Sequence, residues 1–561
     1  MLKLWKTIVR IVQSYSIEEK VISLLLALVI TGISIQGVIN IFSTPEIFAG
    51  KGGFYTEGIV SEPPILINPV YAELNQANRD LSSLVFSGLT KYDPQKQAFV
   101  EDIGELTIGE DNRTYTFKIR DDVFFHDGEK LTVDDVYFTY HDVIQDPALQ
   151  NPILKANFEG VEIKKNDDQT VSFVLKRKNS FFITNLNVGI LPEHLLKDVS
   201  VTDLPSSAFN QKPVGTGPYK IEQPFEMTGE GEGTVYLAQN ELYYKDKAKI
   251  MNIRINTYPN SQSILKDQSK FNMIAKVPGD IMGEVLSQKR FEGIYYELPQ
   301  YTAVFMNIDS NILKDQKVRL ALQKAVNKEE LINSLSDKVA VDTPLMSLNQ
   351  EEWILQFNKE EAEGALFDAG YKYDEEENDG YRKNSDGENL RLRLLARNLS
   401  ENPVAAEDVR KTVDFLVNAW KQIGVEVIPE YEPRNIFIER LNNRDFDLLL
   451  TGESLGYNLD TYPYWHSSQV GENGYNLSNY KSFKADALIE NVRSTFDNEE
   501  KTEYLNELAN TIANEVPAIF LYRPNYLMVK DSKVKNVDMN NLAYPSDRYA
   551  NITNWCIDCN K

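Results

Sequence analysis

Residues 116–140 read TFKIRDDVFFHDGEKLTVDDVYFTY, and three structural signals follow one another within them. Residues 114–120 (TYTFKIR) alternate apolar and polar, which predicts a strand whose side chains point by turns to its two faces. Asp127-Gly128 predicts a turn, because glycine reaches positive φ without steric cost. Residues 132–146 then predict a helix. Thr132 can cap it, Asp134 and Asp135 fall in the first turn where the helix dipole favours negative charge, and Val136, Phe138, Tyr140 and Val143 supply a packing face.

The same grammar continues outward. Residues 170–175 (TVSFVL) alternate like the first strand and follow the turn signal Asn166-Asp167-Asp168. Residues 318–335 carry Val318, Leu322, Ala325, Val326 and Leu331 at helical spacing, and residues 405–423 carry Val409, Val413, Leu416, Val417 and Trp420. Gly424 ends the latter helix, and residues 425–429 resume as a strand. Helix, glycine, strand is the pattern of an α/β layer. Residues 374–387 are polar and hold Gly380 and Gly387, which predicts an exposed loop or hairpin. The acidic glycine run at 229–233 (GEGEG) would repel phosphate and reads as a hairpin loop.

At the N-terminus, residues 21–42 (VISLLLALVITGISIQGVINIF) contain no charged side chain. As a helix they would span about 33 Å, enough for a bilayer core of ~30 Å. Lys3, Lys6, Arg10 and Lys20 precede them, so the positive-inside tendency places residues 1–20 in the cytoplasm and the bulk of the chain outside. We read 21–42 as an uncleaved transmembrane anchor. A cleaved signal peptide and a buried core helix are the alternatives, and the apolar run exceeds the usual signal length. Residues 43–58 hold Pro45, Gly50, Gly52, Gly53 and Gly58 and read as a linker.

Composition excludes some functions. The chain has 561 residues with 59 Lys and Arg against 83 Asp and Glu, a formal charge of −24, which argues against a nucleic-acid partner. Its 29 Tyr suit a core or a binding surface. Cys556 and Cys559 form a C-x-x-C two residues from the end, read as a local disulfide or idle thiols before a redox or metal site. The four histidines, His126, His141, His194 and His466, lack metal-ligand spacing, and no Gly-x-Ser-x-Gly elbow or Walker loop is present. No catalytic residue, metal site or cofactor is therefore expected. A hydrolase would need a nucleophile–base pair or a metal cluster, and the sequence offers neither.

The segment 116–140 resembles the signature of the oligopeptide/dipeptide/nickel-type solute-binding proteins of ABC importers, solute-binding family 5. The resemblance covers Phe117, Arg120, Phe125, His126-Asp127-Gly128, Leu131-Thr132, Asp134-Asp135-Val136 and Phe138. It extends through Ile67-Asn68-Pro69, Ser87-Gly88-Leu89-Thr90, 213–221 (PVGTGPYKI), 318–329, 362–371 (AEGALFDAGY), 444–450 (RDFDLLL) and 516–522 (VPAIFLY). It implies an α/β, two-lobed, type II periplasmic-binding-protein-like fold with an extra subdomain. Lobe I would combine 59–100, 213–300 and 515–555; the subdomain would be 101–212 and lobe II 301–514. It implies capture of peptides or peptide-like solutes outside the membrane, with an ABC permease and ATPase as partners. Alternatives on the same fold are a receptor without a transporter and a non-peptide solute such as a sugar or opine. The absence of a His-rich cleft stands against nickel.

The family's cleft segments fall on Tyr71, on Tyr301 and Asn307, on Gly452, Glu453, Ser454, Tyr457 and Asp460, and on Tyr522 and Arg523 near the return crossing. In many peptide binders an Asp beside a Trp pairs with the peptide's α-amino group. Here the Trp is absent, and Glu453 either replaces that carboxylate or is a solvated loop residue.

Overall fold

In the computed structural model, described residues run from 54 to 559, apart from 62–63, 229–231, 336, 346–355, 375–379, 400–402, 458–459 and 472–473. The expected anchor at 21–42 lies outside them, and among the described residues no helix is long and apolar enough to cross a membrane. The chain is already in a strand at Phe54–Val60, so the stretch read as linker ends earlier than expected.

The signature segment folds as its residues direct. Thr114–Ile119 is a strand paired on both sides, within a four-stranded antiparallel sheet. The turn closes with Gly128 N–H donating to the Phe125 carbonyl at 2.9 Å, Gly128 having φ +97°. Asp135, expected as a first-turn charge, is buried. Its carboxylate accepts from the Thr132 N–H and hydroxyl at 2.9 and 2.8 Å and from the Glu193 N–H at 2.9 Å. The helix is α-helical over Val133–Tyr137 and widens to a π-helix over Phe138–Ile144. His126 joins two signature segments: Nδ1 accepts from Gly215 N–H and Nε2 donates to the Gly217 carbonyl, each at 3.2 Å. Burial pushes His126 down to about 4, so it stays neutral and keeps that donor–acceptor pattern.

The main sheet has 13 strands among the described residues. One 14-residue strand, Ala518–Asp531, runs through both halves of the molecule. Its first part pairs antiparallel with Gln300–Met306 and its second part with Phe291–Glu297. The two shorter strands follow each other directly, so the chain crosses from one half to the other at Leu298-Pro299 and again within the long strand. Along that strand burial is complete at both ends and partial over residues 523–526, the waist between the halves.

In the second half, alternation sorts side chains between two helical layers. Val304 and Met306, Leu448 and Leu450, and Leu392 and Leu394 face one apolar core. Ala303, Phe305, Leu449 and Leu395 face the other. Helices Gln316–Lys324, Lys328–Ser334, Lys359–Asp368 and Pro403–Lys421 cover the first face; Arg434–Asn442, Tyr462–Trp465, Phe483–Ser494 and Asn498–Glu515 cover the second. Strand Arg391–Arg397 lies parallel to both Glu426–Glu432 and Leu448–Ser454, with helices crossing between them. Gly424 has φ +81°, and a Cβ there would meet Arg382 and Tyr373 at 2.8 Å.

One element differs from expectation, and three agree with it. The helix read over 318–335 is two, because the Asn327 side chain accepts from the Glu330 N–H and starts a new helix at Lys328. On either side of residues 375–379, Lys372–Tyr373 pairs antiparallel with Arg382–Lys383. On either side of residues 229–231, Glu226–Thr228 pairs antiparallel with the start of Glu232–Gln239, as the hairpin reading requires. Cys556 and Cys559 are joined by a disulfide, with their Cα atoms 5.9 Å apart. In the first half, the sheet around Thr114–Ile119 shares one apolar core with Phe54–Val60 and Asn252–Tyr258.

Candidate functional site

A cavity of about 1400 Å³ opens between the halves. That exceeds the ~300–1,000 Å³ of sites for drug-sized ligands. The second half contributes the end of the strand Leu448–Ser454 and the loop after it, with Tyr462, Tyr464 and Arg493. The first half contributes Arg79, Ser83, Lys91, Tyr92, Tyr544 and Asp547. Asn151, Leu154, Asn157 and Asn187 line a third side. The mix of aromatic rings, amides and a few buried charges suits an elongated ligand carrying many backbone polar groups.

Of the residues expected at the site, Gly452, Glu453, Ser454, Tyr457 and Asp460 line this cavity. Tyr301 stands behind it. It is the cross-strand partner of Glu453, and its hydroxyl donates to the Glu453 carboxyl. Glu453 is therefore not a solvated loop residue: it is 9% exposed and stands one residue before the end of the strand Leu448–Ser454, on the cavity wall. Burial pushes it up to about 8, and the Tyr301 hydroxyl only partly offsets this. Asp460 is raised by burial too, although the Arg493 guanidinium lies 3.1 Å away and the Tyr462 N–H donates to it.

The other expected residues lie elsewhere. Tyr71 is packed into the first half's core, behind cavity-lining Pro69 and Ala72, where burial pushes its hydroxyl up to about 12. Asn307 follows the opposite end of its strand from Tyr301; its side-chain N–H groups donate to the carbonyls of Arg444 and Phe446 at 3.3 and 3.2 Å. Tyr522 packs on the far core of the second half, its hydroxyl 3.0 Å from that of Thr412. Arg523 sits at the waist, ion-paired with Glu297. These four side chains form no part of the cavity surface.

Tyr457 does more than line the wall. Its ring, on the loop of the second half, lies 5.0, 5.1 and 4.8 Å from Tyr92, Phe99 and Tyr544 of the first half. Its hydroxyl donates to Asp547 at 2.5 Å. Gly456 before it has φ +57°, and a Cβ there would strike the Tyr544 hydroxyl at 2.0 Å, so the approach requires glycine. Asp547 is raised to about 6 by burial, opposed by Tyr457 and by the N–H groups of Ala543 and Tyr544 at 2.8 Å. A second bridge joins Ser180 N–H to the Arg493 carbonyl at 2.7 Å. Two bridges across the mouth hold the halves around the cavity.

The segment 544–554 carries several wall residues that the sequence did not single out. Arg548 anchors it, fully buried, donating to Glu57 and Asp80 at 2.7 and 2.8 Å. An arginine between two acidic positions so distant in sequence gives no local motif by which to find it. Among the described residues, no group of three or more His, Cys, Asp or Glu is arranged to hold a metal ion.

Two α/β halves joined by strand crossings on either side of a large cleft define a two-lobed periplasmic-binding-protein-like fold. Residues 99–475 match the bacterial extracellular solute-binding proteins, family 5, in the middle region of that family. The chain belongs to this family. It is 29% identical over 567 residues to the oligopeptide-binding protein AppA of Bacillus subtilis, covering 95% of this chain and 97% of that one. The structure of that protein in complex with a nonapeptide superposes with a TM-score of 0.70 at 26% identity, covering 90% of this chain and 99% of the other. NikZ of Campylobacter jejuni, solved in complex with Ni(L-His), gives a TM-score of 0.72 at 26% identity, covering 90% and 100%.

Proposed function

We propose that this protein captures peptides or peptide-like solutes outside the membrane and delivers them to an ABC permease driven by its ATPase. The observation that carries this reading is the cleft of about 1400 Å³ between the halves with a buried carboxyl, Glu453, on its wall. The charge of an incoming α-ammonium would favour ionisation of Glu453, whose proton passes to solvent, and leave an ion pair on the cleft wall. The neutral carboxyl of the empty cleft avoids an unpaired buried charge. Backbone amides and water would hold the rest of the peptide, so side chains of different sequence are tolerated.

In this reading lobe I takes in 54–100, 213–298 and the chain after the waist of the long strand, with 101–212 as its subdomain. Lobe II takes in about 300–522, since Ile519 and Leu521 pack in its core. The crossings at 298–299 and 523–526 act as hinges, and Tyr457 and Ser180 bridge the lobes when they close. Residues 21–42 tether the protein to the membrane. Native mass spectrometry of the full chain, purified without denaturation from a peptide-rich medium, tests the ligand class. Heterogeneous bound masses that fragment as peptides are expected. A single non-peptide mass would replace the substrate.

A further inference from the structure

Lys91 lies on the lobe I wall of the cavity, in the strand Thr90–Asp93, across the cleft from Glu453. Its ammonium donates to the Ala550 carbonyl at 2.6 Å, and Ala550 is itself on the cavity surface. An ammonium carries three donors. Among the described residues no second acceptor and no carboxylate lies within bonding reach of this one. The carboxylate that acts on it most, Asp102, is already engaged by Lys245 and by the Tyr244 hydroxyl at 2.9 Å. Burial pushes Lys91 below its ordinary value, as expected for a desolvated cation without an ion-pair partner. The cavity therefore presents a buried acid on one wall and, on the other, a half-buried ammonium held by one carbonyl and no carboxylate.

We infer that Lys91 receives a carboxylate of the bound solute, either the peptide's C-terminus or an acidic side chain. This rests on the reading of the cleft as a peptide site. The test uses one synthetic library of tri- to nonapeptides made twice, as free acids and as C-terminal amides. The full-length protein, Lys91→Met and Lys91→Arg are each equilibrated with both, and bound peptides are read by native mass spectrometry.

The wild type is expected to favour free acids by about tenfold or more, the scale of a charge-assisted hydrogen bond. Lys91→Met should abolish that preference and Lys91→Arg retain it in part. Amides held only when they contain Asp or Glu, and lost in Lys91→Met, would assign the carboxylate to a side chain. Equal binding of acids and amides by the wild type whether or not they contain Asp or Glu, or an unchanged preference in Lys91→Met, overturns the role of Lys91 and leaves the peptide site standing. Binding of neither library overturns both.

Discussion

Glu453 and Asp547 are two buried carboxyls on opposite walls of one cleft, each accepting a hydrogen bond from a tyrosine hydroxyl. Burial raises both, Glu453 to about 8 and Asp547 to about 6. The difference lies in the rest of their surroundings. Asp547 also accepts two backbone N–H groups and feels the Arg79 guanidinium, whereas Glu453 is opposed by the Tyr301 hydroxyl alone. Fixed donors keep a structural acid near ionisation. A site that withholds them leaves its acid neutral until a ligand brings the missing charge. The strut and the receptor are thus distinguished by how completely the protein satisfies each carboxylate.

The largest expected effect is on stability against pH. Each carboxyl binds its proton more tightly in the folded state, so each contributes stability that is complete below its unfolded value and lost as pH rises through its folded value. For Asp547 that window runs from its ordinary 3.8 to about 6, and for Glu453 from its ordinary 4.5 to about 8. Without ligand, Glu453 should cost roughly 3–5 kcal/mol of stability between pH 4.5 and 8. Urea unfolding from pH 5 to 8.5 should show a loss above pH 6 that Glu453→Gln removes and Asp547→Asn does not. A loss above pH 6 that survives in Glu453→Gln would break the contrast.

The next effect is on binding. With an amine-bearing peptide in the cleft, Glu453→Ala should weaken affinity by about 2–5 kcal/mol, measured by calorimetry. Capping the peptide's amine by acetylation should cost the wild type as much and the variant little. Unchanged affinity in Glu453→Ala would leave the fold intact and remove this residue from ligand recognition.

How much of this was legible in the sequence depends on the range over which each feature is specified. The strand, turn and helix around Asp127-Gly128 are local, written in alternation, one glycine and one capping threonine, and they fold as read. The break at Asn327 was equally local, but the apolar spacing over 318–335 masked the capping signal. Glu453 and Tyr457 were reachable because both lie in one segment after a strand end. Tyr71, Asn307, Tyr522 and Arg523 sit in segments near the cleft, yet the local backbone, a 3-10 helix at Tyr71 and a strand at Tyr522 and Arg523, decides which way each side chain points. Tyr522 shows this, since its hydroxyl meets Thr412 on the far face of the sheet. Lys91 depends on a contact with Ala550, 459 positions away, and Asp547 on one with Tyr457, 90 positions away, and no local pattern encodes those.

Asn307 sharpens the distinction between framework and wall. Asn307→Ala would leave the Arg444 and Phe446 carbonyls without their amide donor. A stability loss of about 1–3 kcal/mol is expected, with ligand affinity measured under folding conditions unchanged. A shift in affinity as large as that for Glu453→Ala would return Asn307 to the site.

The smallest effect is the most specific to the strut. Tyr457→Phe keeps the ring among Tyr92, Phe99 and Tyr544 and deletes only the hydroxyl that donates to Asp547. Asp547 retains its two backbone donors, so no carboxylate is stranded. The closed form should lose about 0.5–1.5 kcal/mol, the net value of one hydrogen bond. Because that bond joins the two lobes, the loss should appear as faster ligand release in stopped-flow measurements. Tyr301→Phe deletes a bond of the same kind within one lobe. It should instead raise Glu453 further and move the pH window of ligand binding upward, with little change in lobe closure followed by small-angle scattering. If the two tyrosine variants behave alike, the cleft does not separate its strut from its receptor.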